Sequence, residues 1–286
     1  MAEFPTQAQV VIIGGGVGGC SIAYHLTKMG WKDVVIVERH ELTAGSTWHS
    51  AGLVGQLRSD ANLTRMMFYS TDLYRKLKEE TGQDTGWREV GGLRLASSPE
   101  RMEDLKRLVG MARSFGMQME LVSPKEALDL FPLMNIEGVL GAAFTPTDGI
   151  IDPTGLTRAL AKGAQNRGAQ IWQDTNVEAI RVEKGRVTEV VTNRGVIKTE
   201  IVVNAAGQWG GEVGKMVGLT LPVVPMAHLY IVTKPIEGVK PTFPTLRDPD
   251  LLVYWREEVG GLTTGGYERN PAPFALDGIP KDFKYQ

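Results

Sequence analysis

Gly14, Gly16 and Gly19 follow the apolar run Val10–Ile13 with the spacing Gly-x-Gly-x-x-Gly. Glu38 stands about 20 residues beyond the last of them, at the end of a second apolar run over 33–37. This combination binds a dinucleotide. The first glycine permits a tight turn, the second lets backbone approach a pyrophosphate, and the third lets a helix pack closely on a strand. The helix then aims its N-terminal amides at the phosphates. A carboxylate at position 38 accepts hydrogen bonds from ribose hydroxyls and repels a 2′-phosphate, which disfavours NADP.

Other reactive residue types give weaker signals. The loop Thr43-Ala-Gly-Ser-Thr-Trp-His49-Ser-Ala-Gly52 places a histidine just past the second run. By itself His49 reads as a solvent-facing or capping residue, or as a group reaching toward a cofactor. Cys20, the single cysteine, sits beside the glycines and reads as a small packing residue. His25 reads as helix packing, and His40 lies near the adenosine end. No Cys/His cluster has metal-ligand spacing, and there is no Gly-x-Ser-x-Gly elbow. The acid pairs Glu79-Glu80 and Glu257-Glu258 read as solvated surface.

Several elements must position these groups. The two apolar runs read as parallel strands buried on both faces. Leu63, Met66, Met67, Tyr69, Leu73 and Leu77 recur at helical spacing over 60–81, with the methionines as core filling. Residues 91–96 read as a strand. Ser98-Pro99 and Ser123-Pro124 open helices running to about 115 and to just before Pro132. Asp152 caps a third helix that Gly168 ends. Strands are expected at 170–172, 177–182, 188–192 and 196–198. A third buried strand over 200–204 opens onto Ala205-Ala206-Gly207-Gln208-Trp209. Residues 221–286 read as β-rich, with strands at 223–232, 251–256 and 261–266. The strand near 202 must return to the first sheet, so the nucleotide domain is discontinuous: 1–85 with 150–218, the remainder (86–149 with 219–286) forming a substrate domain.

Composition excludes several functions. The 31 basic and 33 acidic side chains of the 286 residues nearly balance, which argues against nucleic acid or an anionic membrane as partner. No apolar run is long enough for a membrane span. One cysteine and a short polar N-terminus without a leader pattern predict a cytoplasmic protein, or a mitochondrial matrix protein if a leader was removed.

The glycine stretch, Glu38 and the segment around Trp48-His49 together resemble the FAD-dependent amine oxidoreductases of the D-amino-acid-oxidase superfamily. Within it the match is to the dimethylglycine dehydrogenase and sarcosine dehydrogenase group. Further matching stretches are Leu130-Phe-Pro-Leu-Met-Asn135, Asp148-Gly149 with Asp152-Pro153, Val203-Asn-Ala-Ala-Gly-Gln-Trp209, His228 with Tyr230, and Gly265-Gly-Tyr-Glu268. The resemblance implies an α/β fold, α+β overall: a Rossmann-like FAD-binding domain with an adjoining antiparallel sheet domain. It implies that FAD is joined covalently to His49. Gly45, Ser46 and Thr47 would hold the diphosphate, and Gly52 closes that loop. Val177 would contact adenine, and Ala206, Gly207 and Trp209 would form a second nucleotide-contacting turn. His228 and Tyr254 would line the substrate cavity as catalytic residues. Arg256 would either pair a substrate carboxylate or lie at the surface, and Tyr267 is a weaker candidate.

The activity so implied is oxidation of an N-methylated amine, dimethylglycine or sarcosine, with electrons passing to an electron-transferring flavoprotein or to oxygen. The regulatory subunit of pyruvate dehydrogenase phosphatase shares the same motifs without enzymatic activity, but that lineage does not keep the histidine found here at 49. Dehydrogenases of 2-hydroxyglutarate or glycerol 3-phosphate form a third option, which the Trp48-His49 pair disfavours. Family members continue past residue 286, so the chain is expected to stop within the flavoprotein module. By that resemblance, the strand, glycine loop and helix that close over the flavin, and a folate-binding module, would lie outside it.

Overall fold

The computed structural model describes residues 3–280 and 282–284; Met1, Ala2, Lys281, Tyr285 and Gln286 lie outside the described residues. In chain order the elements are β1 (Val10–Ile13), α1 (Val17–Lys28), β2 (Val34–Val37), β3 (Leu53–Val54), α2 (Ala61–Thr81), β4 (Gly92–Ala96), α3 (Pro99–Ser114), β5 (Glu120–Val122), α4 (Pro124–Leu130), β6 (Gly141–Thr145) and β7 (Gly149–Ile150). They continue with α5 (Pro153–Asn166), β8 (Gln170–Trp172), β9 (Val177–Glu183), β10 (Arg186–Thr192), β11 (Gly195–Lys198), β12 (Val202–Asn204), a 3-10 turn (Gly207–Trp209), α6 (Gly210–Lys215), β13 (Tyr230–Val232), β14 (Thr245–Asp248), β15 (Val253–Glu258) and β16 (Gly261–Gly266).

Two large sheets organise these elements. The first is parallel, four-stranded and ordered β12-β1-β2-β8, so the strand near 202 does return beside β1. Its central strands are buried on both faces, which is why they read as unbroken apolar runs. Val10 and Ile12 point with Val34 and Ile36 into a core shared with Tyr24, Leu77 and Leu160. Val11, Ile13, Val35 and Val37 point the other way, toward Ile180, Val190 and Ile197 of the antiparallel sheet β11-β10-β9. Cys20 is fully buried here, and burial and then Glu38 push its thiol up to about 12, which leaves it a packing group.

The second sheet has seven strands in the order β13-β16-β15-β14-β4-β6-β5. It is antiparallel except where β14 runs parallel to β4, pairing Thr245 with Gly92 and Arg247 with Arg94. Strands of the first large sheet fall within 1–85 and 150–218, and strands of the second within 86–149 and 219–286; we propose this division as the domain boundary. Among the described residues no helix is long and apolar enough to cross a membrane.

Several sequence expectations need correction. On α2, Leu63 and Met66 are 49% and 63% exposed and Tyr69 is also exposed, while Thr64, Thr71, Leu73, Leu77 and Thr81 are buried. The threonines tolerate burial because each hydroxyl donates to a carbonyl four residues earlier. The core stripe is therefore rotated from the apolar spacing, and only Met67 of the methionine pair packs inward. The acid pairs are not plain surface. Glu80 accepts from Tyr24 at 2.8 and 2.9 Å and pairs with Arg167. Glu257 is buried and binds Arg88 at 2.7 Å. The expected strand over 223–232 shrinks to β13, whose residues are exposed. In urea unfolding, Leu77→Ala should lose about 2–5 kcal/mol, whereas Met66→Ala should stay within about 0.5 kcal/mol. Equal losses would contradict the corrected stripe.

Candidate functional site

The turn from β1 into α1 is shaped for close approach. Gly14 has φ +115°, and a Cβ at Gly19 would overlap the Gly14 carbonyl oxygen. Helix and strand therefore cross at a separation only glycine allows. Gly16 is the N-cap of α1 and offers no side chain to the helix amides. The Thr47 hydroxyl accepts from the Val17 amide at 3.0 Å. The next two amides, of Gly18 and Gly19, have no partner within the helix. By contrast α2, α3, α4 and α5 begin at side-chain caps: Asp60, Ser98, Ser123 and Asp152. The open end of α1 faces a cavity of about 280 Å³.

Glu38 ties the end of β2 to this turn. Its carboxylate accepts from the Gly15 amide at 2.6 Å and from the His40 amide at 2.9 Å, and it lines the cavity. Gly14, Gly16, Gly45, Ser46 and Thr47 form one part of the lining. Val177, Ala206, Gly207 and Trp209 form another, the Arg39 guanidinium lying 5.0 Å from the centre of the Trp209 ring. Gly19 packs behind the cavity rather than lining it.

Ser46 and Gln208 also line a second cavity of about 580 Å³, which collects His49, Gly52, His228 and Tyr254. The loop over 43–52 thus reaches from the first cavity to the second. His49 packs edge-on against Trp48 at 4.8 Å, and burial holds its imidazole below the usual histidine range, so the ring is neutral at pH 7. The Nδ1 of His228 lies 2.7 Å from the Glu268 carboxylate. An ionised carboxylate there accepts an N–H, which turns the other ring nitrogen into an acceptor when the ring is neutral. Its own backbone amide and then His228 hold Glu268 below the usual carboxylate range. Tyr254 is 9% exposed; burial, then Tyr267 and Tyr230, push its hydroxyl up, so it remains a donor. A Cβ at Gly265 would strike the Tyr254 ring, so that glycine makes room for it.

Among the described residues, six buried side-chain nitrogen or oxygen atoms lack a hydrogen-bond partner. Four of them, His40 Nε2, His49 Nε2, Gln208 Nε2 and Trp209 Nε1, belong to residues lining these two cavities. Orphaned polar atoms are costly. A diphosphate against α1 would meet the first-turn amides that have no partner within the helix. Residues 9–285 match the family described as FAD dependent oxidoreductase.

The chain belongs to that FAD-dependent oxidoreductase family. It is 43% identical to human mitochondrial sarcosine dehydrogenase over 93% of its own length and 30% of the relative's. It is 40% identical to rat mitochondrial dimethylglycine dehydrogenase (98% and 34%) and 39% identical to the mitochondrial pyruvate dehydrogenase phosphatase regulatory subunit of mouse (96% and 32%). The chain thus spans about a third of the length of the curated relatives it matches. Among solved structures it resembles L-proline dehydrogenase from P. horikoshii, with TM-score 0.87 and 30% identity, over 98% of this chain and 75% of that one. FAD is the cofactor of the family, and the uncapped end of α1 facing the first cavity fits its diphosphate.

Within this FAD-dependent fold, three residues at the cavities escaped sequence reasoning. Glu268 orients His228 from 40 positions away, and its only signal was its place in the Gly265-Gly-Tyr-Glu268 stretch. Gln208 lies between two recognised residues. Arg247 lines the second cavity from β14, a strand whose Thr-Leu-Arg-Asp sequence runs straight into Pro249. Two other readings change. His228 precedes β13 instead of lying on a strand. Arg256 is neither a surface charge nor part of the cavity that holds His228 and Tyr254: its side chain is 14% exposed and paired with Glu258, and it lines a separate cavity.

Beneath Arg247, the Asp148 carboxyl accepts from the Gln56 backbone at 2.9 Å. The residue as a whole is half-buried, but desolvation of its carboxyl outweighs Gln56, Arg247 and Arg94 and pushes its pKa up to about 6. The native state therefore holds a proton that the unfolded chain releases near pH 4. Stability should be fully present below pH 4, fall by roughly 2–3 kcal/mol as pH rises to 6, and then level off. Asp148→Asn should flatten that fall in thermal or urea unfolding between pH 4 and 7; an unchanged profile would contradict it.

Proposed function

We propose that the chain is the flavin-binding catalytic module of an oxidoreductase acting on an N-methylated amine such as dimethylglycine or sarcosine. The observation that carries this reading is that the two cavities share Ser46 and Gln208 in their linings. One loop, 43–52, supplies the lining next to the open α1 terminus at one end and His49 at the other, beside His228 and Tyr254. Gly14, Gly16, Thr47 and the α1 amides would hold the diphosphate of FAD. Glu38 would meet a ribose, and Val177, Ala206, Gly207 and Trp209 the rest of the nucleotide. Bound FAD would supply a two-electron acceptor for the C–H bond beside the amine nitrogen.

The chain's own groups handle the amine. His228, oriented by Glu268, accepts a proton through its free ring nitrogen and keeps the amine uncharged. Tyr254 offers an O–H donor from a buried position, fixed by the space over Gly265. His49 is neutral and its Nε2 lacks a protein partner, as a covalent tether to the flavin requires. That histidine favours an enzyme over a regulatory subunit. The relatives named dehydrogenases favour a protein electron acceptor, such as an electron-transferring flavoprotein, over oxygen. Their mitochondrial names favour the matrix as its compartment.

Anaerobic addition of dimethylglycine or sarcosine to the purified flavoprotein should bleach the flavin absorbance. His228→Ala should slow that bleaching by about 10²–10⁴-fold. If no N-methyl amine bleaches the wild type, the reading fails. After acid precipitation, yellow colour should stay with the protein pellet and disappear from it in His49→Ala. Flavin found wholly in the wild-type supernatant would rule out the tether.

A further inference from the structure

The loop over 43–52 is fixed at both ends. Thr43, a buried β-branched residue, is held at φ +75°, a conformation it adopts only under constraint. Its amide donates to the Gly15 carbonyl at 3.2 Å. At the other end the Ile151 amide donates to the Gly52 carbonyl at 2.9 Å, and Gly52 has φ +69°. Between these anchors the chain winds in short turns. The His49 amide donates to the Ser46 carbonyl and the Ser50 amide to the Thr47 carbonyl, each at 3.2 Å. The residues just before His49 therefore carry its backbone.

A side chain in that middle stretch ties it to α1. The Thr47 hydroxyl accepts from the Val17 amide at 3.0 Å. A Cβ at Gly16 would come within 2.9 Å of this oxygen, so Gly16 gives it room. Helix caps normally come from the residue just before the helix; this one comes from 30 positions further along the chain. A hydroxyl has one hydrogen to give and two lone pairs to receive. With one lone pair on the Val17 amide, Thr47 keeps its hydrogen, and it lines the first cavity beside the open end of α1. An anion drawn to the α1 amides supplies an acceptor for that hydrogen.

We propose that Thr47 is the positioning residue for the flavin tether: its hydroxyl, held by α1 and donating to the diphosphate, pins the loop two residues before His49, so that filling the first cavity sets the imidazole in the second. This rests on the covalent-tether reading. The tether exchanges one C–H of the flavin 8-methyl group and the imidazole N–H for a C–N bond. Both hydrogens leave as protons, and the two electrons pass through the flavin to dioxygen, which takes up two protons and becomes hydrogen peroxide. Such a step depends on placement, since a displacement of about 1 Å slows a positioned reaction by roughly 100-fold.

The test has two arms. In the first, amide hydrogen exchange at His49 and Ser50 of the flavin-free chain is followed with and without saturating ADP, which carries the diphosphate and adenosine of FAD but no flavin ring. ADP should slow exchange at both amides by roughly threefold or more in the wild type and in Thr47→Ser, and leave it unchanged in Thr47→Val. In the second, the flavin-free chain is mixed with saturating FAD in air, and the acid-stable flavin in the protein pellet is measured over time. Thr47→Val should form the tether about tenfold or more slowly, although FAD is bound, and Thr47→Ser should stay within about threefold of the wild type. Equal slowing of exchange by ADP in the wild type and Thr47→Val would overturn the proposal. So would equal tethering rates at saturating FAD. If the wild type forms no tether, the tether reading fails, while the ADP arm still decides whether Thr47 couples the first cavity to the loop.

Discussion

The separation between α1 and β1 governs the rest of this molecule. Gly19 lets the helix cross directly over the Gly14 carbonyl, and Gly16 leaves the helix end without a cap of its own. First-turn amides with no intrahelical partner carry partial positive charge. Here they face a cavity instead of a serine or aspartate. The arrangement is unfavourable in isolation and becomes favourable once a diphosphate occupies it. Glu38 locks the geometry by accepting from the Gly15 amide, so the end of β2 and the glycine turn hold as one unit.

From that anchor the chain extends the site in one direction. The loop over 43–52 leaves the first cavity through Ser46 and delivers His49 to the second. The seven-stranded sheet closes the second cavity with groups its register sets side by side: Tyr254 next to Arg247 on one row, and Gly265 vacant beneath the Tyr254 ring. The positions of these side chains follow from strand pairing, not from local sequence. The parallel pairing of β14 with β4 is the link that sets Arg247, which lines the second cavity, level with Arg94.

This division explains what the sequence disclosed. The strand–turn–helix–strand unit was legible because doubly buried strands are written as apolar runs and because only glycine satisfies its close approach. Helix starts at Ser98, Ser123 and Asp152 were legible from capping chemistry. The buried face of α2 was not, because threonines that hydrogen-bond back to their own helix bury as readily as leucines. Strands β6 and β14 lack alternation, and Gly141-Ala-Ala-Phe-Thr145 and Thr245-Leu-Arg-Asp248 drew no strand of their own from the sequence. Glu268 and Arg247 escaped for the same reason, since each acquires its role from a residue far away in sequence.

The central claim is that the first cavity grips the nucleotide half of FAD and thereby positions the flavin ring in the second. Fluorescence titration of flavin-free His49→Ala protein, in which no tether can form, tests this directly. FAD should bind at least about 100-fold more tightly than riboflavin, a difference of roughly 2.7 kcal/mol supplied by the diphosphate and adenosine contacts. Equal affinity for the two would show that the α1 terminus and Glu38 do not hold the cofactor, and would contradict the account.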